Sequence, residues 1–187
     1  MKRLDHFALF APFYDRLFAT PEPDLMQELL ALPTGWLLDV GGGTGRVSGT
    51  LAGLAERIVI ADTSTAMLRQ AQRKDSLLPT RAYAERLPFP DGSFDRVLVV
   101  DAFHHFCNQE QAAGELLRVL ARGGRLVVAE PNIEHWLVKV IALGERLALM
   151  GSRFYHAEAM RGMFEAWGGR VTTYADDTAT VWVVVDR

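Results

Sequence analysis

Short apolar runs alternate with longer amphipathic stretches from about residue 36 to the end of the chain. Short runs bounded by glycine or proline are typical of buried strands, and amphipathic stretches are typical of helices. The predicted strands are residues 36–40, 57–61, 80–84, 94–100, 125–130, 170–174 and 180–186. The predicted helices are residues 46–54, 63–74, 109–120, 133–150 and 156–167.

Single helices between strands predict βαβ units, and hence an α/β fold with a mostly parallel sheet covered by helices on both faces. Only a short turn separates the last two strands, so these two should be antiparallel. Residues 1–31 precede the first strand, and we expect them to form one or two helices at the carboxyl edge of the sheet. The length of 187 residues fits one domain, with a helical cap at 1–31 and a core at 36–187.

Composition excludes several classes of partner. The chain has 20 basic and 23 acidic residues, so it lacks the positive excess that nucleic-acid phosphates attract. The single Cys107 cannot form an internal disulfide, which favours a reducing cytoplasm. The longest apolar region, residues 136–150, contains Lys139, Glu145 and Arg146, and it is shorter than the about 20 residues of a spanning helix. We therefore expect a cytoplasmic protein with no integral membrane segment and no nucleic-acid partner.

The strongest chemical signal is a glycine-rich turn after the first predicted strand. Asp39 lies near the end of that strand, and four of residues 41–45 are glycine. Glycine tolerates positive φ and lets a ligand approach the backbone closely. The nicotinamide and flavin fingerprint requires a small residue where this chain has Arg46. The phosphate loop requires Lys followed by Ser or Thr, which is also missing here.

A second carboxylate, Asp62, ends the next predicted strand. A carboxylate at this place can accept two hydrogen bonds from ribose hydroxyls. The alternative is that Asp62 only caps the following helix, although Ser64 can serve as that cap. Met67, one turn into the helix, can lie against a purine or pack in the core.

Three segments in this order carry a resemblance to a known family. They are Asp-Val-Gly-Gly-Gly-Thr-Gly at 39–45, Ala-Asp-Thr-Ser-Thr-Ala-Met-Leu at 61–68 and Ala-Glu-Arg-Leu-Pro-Phe-Pro-Asp-Gly-Ser-Phe-Asp at 84–95. Together they resemble the class I S-adenosylmethionine-dependent methyltransferases, and among these the small-molecule branch with the ubiquinone/menaquinone C-methyltransferases (methyltransferase type 11). The resemblance covers roughly residues 36–131 and implies a Rossmann-like, doubly wound, seven-stranded sheet with an antiparallel last strand in three α/β/α layers.

The resemblance also implies residues that contact the cofactor S-adenosylmethionine and its product S-adenosylhomocysteine. The glycine loop passes under the methionine part, Asp39 reaches its ammonium group through water, Asp62 holds the ribose, and Asp101 lies near the methionine part. Ala84 and Glu85 border the adenine, although much of the family has Asp where this chain has Tyr83. The full set of expected cofactor contacts is Asp39, Gly41, Gly42, Gly43, Gly45, Asp62, Thr63, Met67, Ala84, Glu85 and Asp101.

Candidate acceptor contacts lie at the same edge of the predicted sheet. His104 and His105 follow the fourth strand, and adjacent histidines outside a helix should point to different sides. His105 is the candidate catalytic residue, and His104, Glu130 and Tyr14 are candidate substrate contacts. The alternatives are that the histidines only anchor the loop, that Glu130 is a cap or ion-pair partner, and that Tyr14 packs in a helix. No third ligand accompanies the histidines, so we expect no metal.

The sequence thus predicts methyl transfer to a small or lipid-like acceptor. Such a displacement depends mainly on proximity and alignment, and a general base is needed only if the acceptor loses a proton. The alternative is a non-catalytic cofactor-binding module that serves as an interaction or regulatory subunit. The predicted helix 133–150 has a second apolar face, which a partner subunit in a homodimer, the N-terminal helices or an acceptor channel can account for.

Overall fold

The computed structural model describes residues 23–133, 153–175 and 180–187. Its strands are β1 (Thr34–Val40), β2 (Ala55–Asp62), β3 (Leu77–Arg81), β4 (Phe94–Val100), β5 (Leu120–Pro131), β6 (Arg170–Ala175) and β7 (Thr180–Asp186). Its α-helices are α1 (Pro23–Leu30), α2 (Thr65–Ala71), α3 (Gln109–Val119) and α4 (Ala157–Glu165). Two short 3-10 helices span Ser48–Leu51 and Phe103–His105.

All seven strands belong to one sheet in the order β3-β2-β1-β4-β5-β7-β6. β1 to β5 pair in parallel, whereas β7 runs antiparallel to both β5 and β6. The order reverses beside β1, which lies between β2 and β4. The predicted mostly parallel, seven-stranded sheet with an antiparallel last strand is therefore confirmed.

Alternate side chains of the central strands enter two separate cores, as the period of two in a strand requires. Val97 and Val99 belong to one core, which α3 and α4 cover, whereas Leu98 and Val100 belong to the other. Met26 of α1 and Leu68 of α2 complete that second core. The sheet is thus the middle of three layers.

The helix before β1 lies on a face of the sheet rather than at its carboxyl edge. Met26 and Leu30 of α1 are fully buried. The carbonyl oxygen of Leu30 accepts a hydrogen bond from Nε of Arg96, near the start of β4, at 2.5 Å. Residues 23–31, the described part of the predicted cap, are therefore anchored near the amino ends of the strands. Residues 1–22 lie outside the described residues.

Two local predictions were wrong. Residues 46–54 do not form an α-helix: only Ser48–Leu51 is helical, as a 3-10 turn, and the positive φ of +87° at Gly53 prevents a helix from continuing to residue 54. Strand β3 begins at Leu77, three residues before the prediction, and includes Pro79. β3 is an edge strand, where a proline costs no hydrogen bond to a further strand.

The remaining elements agree with prediction to within a few residues, apart from a longer β5 and a shorter α2. The predicted helix 133–150 lies almost wholly outside the described residues, and so do residues 176–177, where the sequence predicts a turn. Within the described residues, no helix is long and apolar enough to cross a membrane.

Candidate functional site

The turn after β1 needs glycine for both conformation and space. Gly41, Gly43 and Gly45 have φ values of +77°, +55° and +68°. A Cβ at Gly41 would lie 2.4 Å from Cβ of Ala102, and one at Gly45 would lie 2.2 Å from Cδ1 of Leu77. The loop therefore packs against the segment after β4 on one side and against β3 on the other.

Asp39 lies directly beneath this loop. Its side chain is buried and accepts a hydrogen bond from Oγ of Ser48. A Cβ at Gly42 would lie 2.6 Å from Cγ of Asp39, so glycine is needed there because the carboxyl group occupies the space. The pKa of Asp39 is raised to about 7, mainly by burial and also by nearby Asp62, whereas Ser48 and Arg46 oppose the shift.

Asp62, at the end of β2, joins the glycine loop to the start of α2. Oδ2 accepts a hydrogen bond from N–H of Gly43 at 2.9 Å, and Oδ1 accepts one from N–H of Ser64 at 2.7 Å. Ser64 is itself the N-cap of α2 and accepts from N–H of Met67 at 3.5 Å. The structure thus shows both the cap by Ser64 and an anchoring role for Asp62, which sequence reasoning had considered separately.

The space beside Gly43 faces Asp62. A Cβ at Gly43 would find its nearest side-chain atom, Oδ2 of Asp62, at 3.9 Å, which is ordinary van der Waals distance. Of the two neighbouring candidates, Thr63 is exposed and Met67 is buried in α2. The burial of Met67 agrees with its alternative interpretation as a packing residue.

Glu85 holds the start of α3. Its Oε1 accepts hydrogen bonds from N–H of Cys107 at 2.6 Å and N–H of Asn108 at 3.1 Å. Asn108 is the N-cap of α3, so the carboxylate also opposes the positive end of that helix. Ala84 is buried, whereas 59% of Tyr83 is exposed. No local sequence pattern indicates this link between residue 85 and α3.

Asp101, directly after β4, is the second site carboxylate with an unusual environment. Its φ is +50°, a left-handed conformation that costs a non-glycine residue about 1–3 kcal/mol. Nη2 of Arg46 lies 3.6 Å from its Oδ2; the Arg46 side chain is 8% exposed and that of Asp101 44%. Partial burial raises the pKa of Asp101 to about 6, with Glu130 adding to the shift and Arg46 opposing it.

Glu130, at the end of β5, is wholly engaged with the segment after β4. Oε1 accepts from N–H of Ala102 at 2.9 Å and from N–H of Phe103 at 2.8 Å. Oε2 contacts N–H of His104 at 3.3 Å and Nδ1 of the same residue at 2.5 Å. These contacts fit the alternative of an anchoring partner, and a contact between Glu130 and substrate stays a prediction.

The two histidine rings lie together, so the prediction that they point to different sides was wrong. Residues 103–105 form a 3-10 helix, and the centroids of the His104 and His105 rings are 3.9 Å apart. His104 is 4% exposed and stacks on Phe154 with a centroid distance of 4.4 Å. His105 is only partly buried, so it is the more accessible of the pair.

The other site predictions concern Tyr14 and metals. Tyr14 lies outside the described residues. In the described ranges, no group of three His, Cys, Asp or Glu residues is placed to hold a metal ion. A separate groove of about 340 Å³ lies beside α3, between Glu85 and Trp167, away from the glycine loop.

Comparison with known proteins gives a family match over part of the chain. Residues 38–128 match the family described as a methyltransferase domain. The chain is 46% identical over 101 residues to a demethylmenaquinone methyltransferase of Thermus thermophilus, a match that covers 50% of this chain and 46% of the relative. It is 36% identical over 104 residues to a ubiquinone/menaquinone biosynthesis C-methyltransferase of Hahella chejuensis, covering 50% of this chain and 42% of the relative. The chain thus spans less than half the length of these relatives.

Solved structures agree with the fold. A structure from Thermotoga maritima, described as an S-adenosylmethionine-dependent methyltransferase and possible histamine N-methyltransferase, superposes with a TM-score of 0.80. The identity is 23%, and the match covers 96% of this chain and 97% of that one. A [4+2]-cyclase also superposes, with a TM-score of 0.70 at 20% identity. The fold alone therefore does not define the reaction.

The order of the sheet, the glycine loop and the family match together confirm the resemblance predicted from the sequence. Residues 38–128 match the methyltransferase-domain family, and the described sheet has the fold of solved structures that include an S-adenosylmethionine-dependent methyltransferase.

Proposed function

We propose that this protein transfers a methyl group from S-adenosylmethionine to a small or lipid-like acceptor, and that the acceptor is a ring carbon of a reduced quinone. The cofactor assignment rests on one observation: the carboxylate of Asp62 accepts a hydrogen bond from N–H of Gly43, a glycine with a left-handed φ. The relatives named for demethylmenaquinone and for ubiquinone/menaquinone support the acceptor class.

The residues around the loop fit the cofactor. The carboxylate of Asp62 is partly exposed beside the N–H groups of Gly43 and Ser64, where ribose hydroxyls can reach it as hydrogen-bond donors. The space beside Gly43 allows a ligand to approach the backbone. When bound, S-adenosylmethionine supplies an activated methyl group on a positively charged sulfur.

Negative charge near the loop suits a cationic ligand. Asp39 lies under the loop, and Asp101 lies where the loop meets the segment after β4. An ammonium group nearby favours the ionised forms of both carboxyl groups, whose pKa values burial raises. In this proposal Asp39 acts through the loop and through water, because its side chain is buried.

His105 is the proposed residue on the acceptor side. It follows β4 at the carboxyl edge, where open α/β sheets bind ligands, and its ring is more accessible than that of His104. An imidazole can order an acceptor hydroxyl and take its proton near neutral pH. Glu130 and His104 lie behind it and hold the segment.

Two measurements test the proposal. Calorimetric titration should show binding of S-adenosylmethionine and S-adenosylhomocysteine and no comparable binding of NAD. Methyl transfer is then measured with reduced demethylmenaquinone carrying a short isoprenoid chain, beside phenol and amine acceptors. Tight NAD binding without adenosylmethionine binding would contradict the cofactor assignment. Cofactor binding without transfer to any acceptor class would instead support the non-catalytic alternative.

The role of His105 has its own test. If His105 is a base or orders the acceptor, His105→Ala lowers turnover much more than cofactor affinity. His105→Gln, which is polar but cannot take the proton, should then recover little. If cofactor affinity and thermal stability fall together instead, His105 only anchors the loop.

A further inference from the structure

The buried carboxylate of Glu130 gathers more donors than any neutral side chain can satisfy. Three successive backbone N–H groups, at 102, 103 and 104, and the His104 ring all lie within 3.3 Å of its oxygens. Donation from Nδ1 to an ionised, acceptor-only carboxylate fits this set of contacts, so we assign the proton of His104 to Nδ1. Glu130 therefore fixes both the path of the backbone after β4 and the tautomer of His104.

His104 extends this arrangement to a third segment. Its ring stacks on Phe154 with an interplanar angle of 15°, and its carbonyl oxygen accepts from N–H of Arg153 at 2.8 Å. The carbonyl of Arg153 in turn lies 3.4 Å from Nε2 of Gln109, near the start of α3. The end of β5, the segment after β4 and the segment before α4 thus meet at one imidazole.

The same contacts position His105. Its backbone N–H donates to the carbonyl of Ala102 at 3.0 Å, and its ring lies against the His104 ring at an angle of 49°. Both neighbours of His105 in this geometry, residue 102 and the ring at 104, are held by Glu130. Movement of either one moves the His105 ring.

We infer that Glu130 and His104 form a positioning pair that sets the orientation of the His105 ring toward the acceptor. Neither residue touches the acceptor in this scheme, which replaces the sequence-based expectation of direct substrate contact for both. The inference rests on the proposed function for its effect on turnover, but the placement of the ring can be measured without any acceptor.

The chemistry of Glu130 predicts that its amide counterpart is a poor substitute. An amide has one acceptor oxygen and one NH2 donor, so Glu130→Gln turns a donor toward two of the four groups that donate to it. At His104, two variants separate the functions of the ring. His104→Asn retains a donor near the position of Nδ1, whereas His104→Phe retains the stacking on Phe154 and loses the donor.

The experiment compares Glu130→Gln, His104→Asn and His104→Phe with Glu165→Gln, a control that removes a carboxylate exposed on α4. Imidazole NMR on the full chain follows the Nδ1 proton of His104 and the ring signals of His105, assigned with His105→Gln. Calorimetry gives the affinity for S-adenosylmethionine, and turnover is measured with reduced short-chain demethylmenaquinone.

We expect Glu130→Gln to abolish the protected Nδ1 proton signal, to shift the His105 ring signals and to lower turnover about tenfold or more, with cofactor affinity within about threefold. His104→Phe should likewise shift the His105 ring signals and lower turnover, His104→Asn should change both less, and Glu165→Gln should change nothing. Unchanged His105 signals in folded Glu130→Gln or His104→Phe would overturn the inference. A fall in thermal stability with unchanged turnover per folded molecule would also overturn it, since the pair would then only stabilise the fold.

If no acceptor is methylated by the parent protein, the proposed function fails, but the NMR comparison still decides the positioning. If Glu130→Gln does not fold, the His104→Asn and His104→Phe pair provides the same comparison with the carboxylate intact. A turnover loss in His104→Asn as large as in His104→Phe would contradict the assigned role of the Nδ1 donor.

Discussion

The two halves of the carboxyl edge use acidic residues in different ways. The β1–β2 half is formed by the loop 41–47 and Asp62. There the carboxylate of Asp62 accepts hydrogen bonds from two backbone N–H groups and is partly exposed. In the β4–β5 half, formed by residues 101–105 and Glu130, the carboxylate contacts three backbone N–H groups and an imidazole, and only 4% of the residue is exposed.

This difference shows that a place at the edge of a parallel sheet does not by itself assign ligand contact. A carboxylate has a limited number of acceptor positions, and those filled by the protein's own donors serve to hold the chain. Asp62 remains partly exposed, whereas only 4% of Glu130 is exposed. Function at this edge therefore depends on exposure and on the donors around each group.

The largest expected loss of stability comes from a substitution that pushes the two halves of the edge apart. Gly41→Ala combines a left-handed φ with a Cβ that would lie 2.4 Å from Cβ of Ala102. Strain and overpacking together should cost roughly 2–5 kcal/mol of unfolding free energy. Denaturant unfolding measures this, beside Gly53→Ala, where φ is +87° but nothing lies within 4 Å of the new Cβ.

The control should lose only about 1–2 kcal/mol, because it suffers the backbone strain alone. Equal losses in the two variants would mean that the contact between the glycine loop and the segment after β4 is not tight.

Removing Asp62 tests the β1–β2 half directly. Asp62→Ala deletes the proposed ribose acceptor, and two lost bonds to a charged group at about 1.5 kcal/mol each correspond to roughly a hundredfold weaker cofactor binding. Because Gly43 and Ser64 also lose their acceptor, a moderate fall in thermal stability should accompany it. Calorimetry and thermal unfolding are measured together, with Asp75→Ala as an exposed control. Unchanged affinity would leave Asp62 only its anchoring role.

Asp39 gives the β1–β2 half a dependence on pH. Because its pKa rises from 3.8 to about 7 in the folded chain, the native state binds more protons than the unfolded state between these values. Stability contributed by this group is therefore present at low pH and lost as pH rises toward 7. Asp39→Asn should remove that loss and be more stable at pH 8, on the order of 2 kcal/mol, while binding the cofactor more weakly.

Denaturant unfolding at several pH values checks this, and the difference between variant and parent is the relevant quantity. The pKa of Asp101 is also raised, to about 6, so it titrates in the same window in both proteins and cancels in that difference. Parallel pH profiles for variant and parent would show that Asp39 is not the group responsible.

The sequence predicted the sheet well where the signal was local. The apolar runs of β4 and β7 have the predicted bounds, because each is a continuous buried strand between clear breaks. The α-helix expected at 46–54 is replaced by a 3-10 turn at Ser48–Leu51, and Gly53 takes a positive φ that ends the segment, which a pattern of apolar residues does not reveal. The start of β3 was predicted too late because Pro79 argues against a strand interior, and only the sheet order shows that β3 is an edge strand, where proline is tolerated.

At the site, the sequence located the candidate positions but not their partners. The contacts of Glu85 with residues 107 and 108, and those of Glu130 with residues 102–104, join segments more than twenty residues apart. The ion pair of Arg46 with Asp101 is of the same kind, because it links the glycine loop to the end of β4. Hydrogen bonds of this range depend on tertiary packing, and no local pattern encodes them.

The smallest expected effect concerns adenine. Much of the resembling family has Asp where this chain has Tyr83, whose side chain is largely exposed next to the buried Ala84. With Glu85 Oε1 bound to the start of α3, a carboxylate at 83 would add an acceptor for the adenine amine. One such bond is worth about 1 kcal/mol, so Tyr83→Asp should tighten binding of S-adenosylhomocysteine roughly fivefold.

Tyr83→Asn, which keeps an acceptor without the charge, should gain less, and Tyr83→Phe should change affinity little. Calorimetry of the three variants separates these outcomes. Unchanged or weaker binding by Tyr83→Asp would mean that adenine does not approach residue 83, and that the two halves of the edge hold the cofactor without this segment.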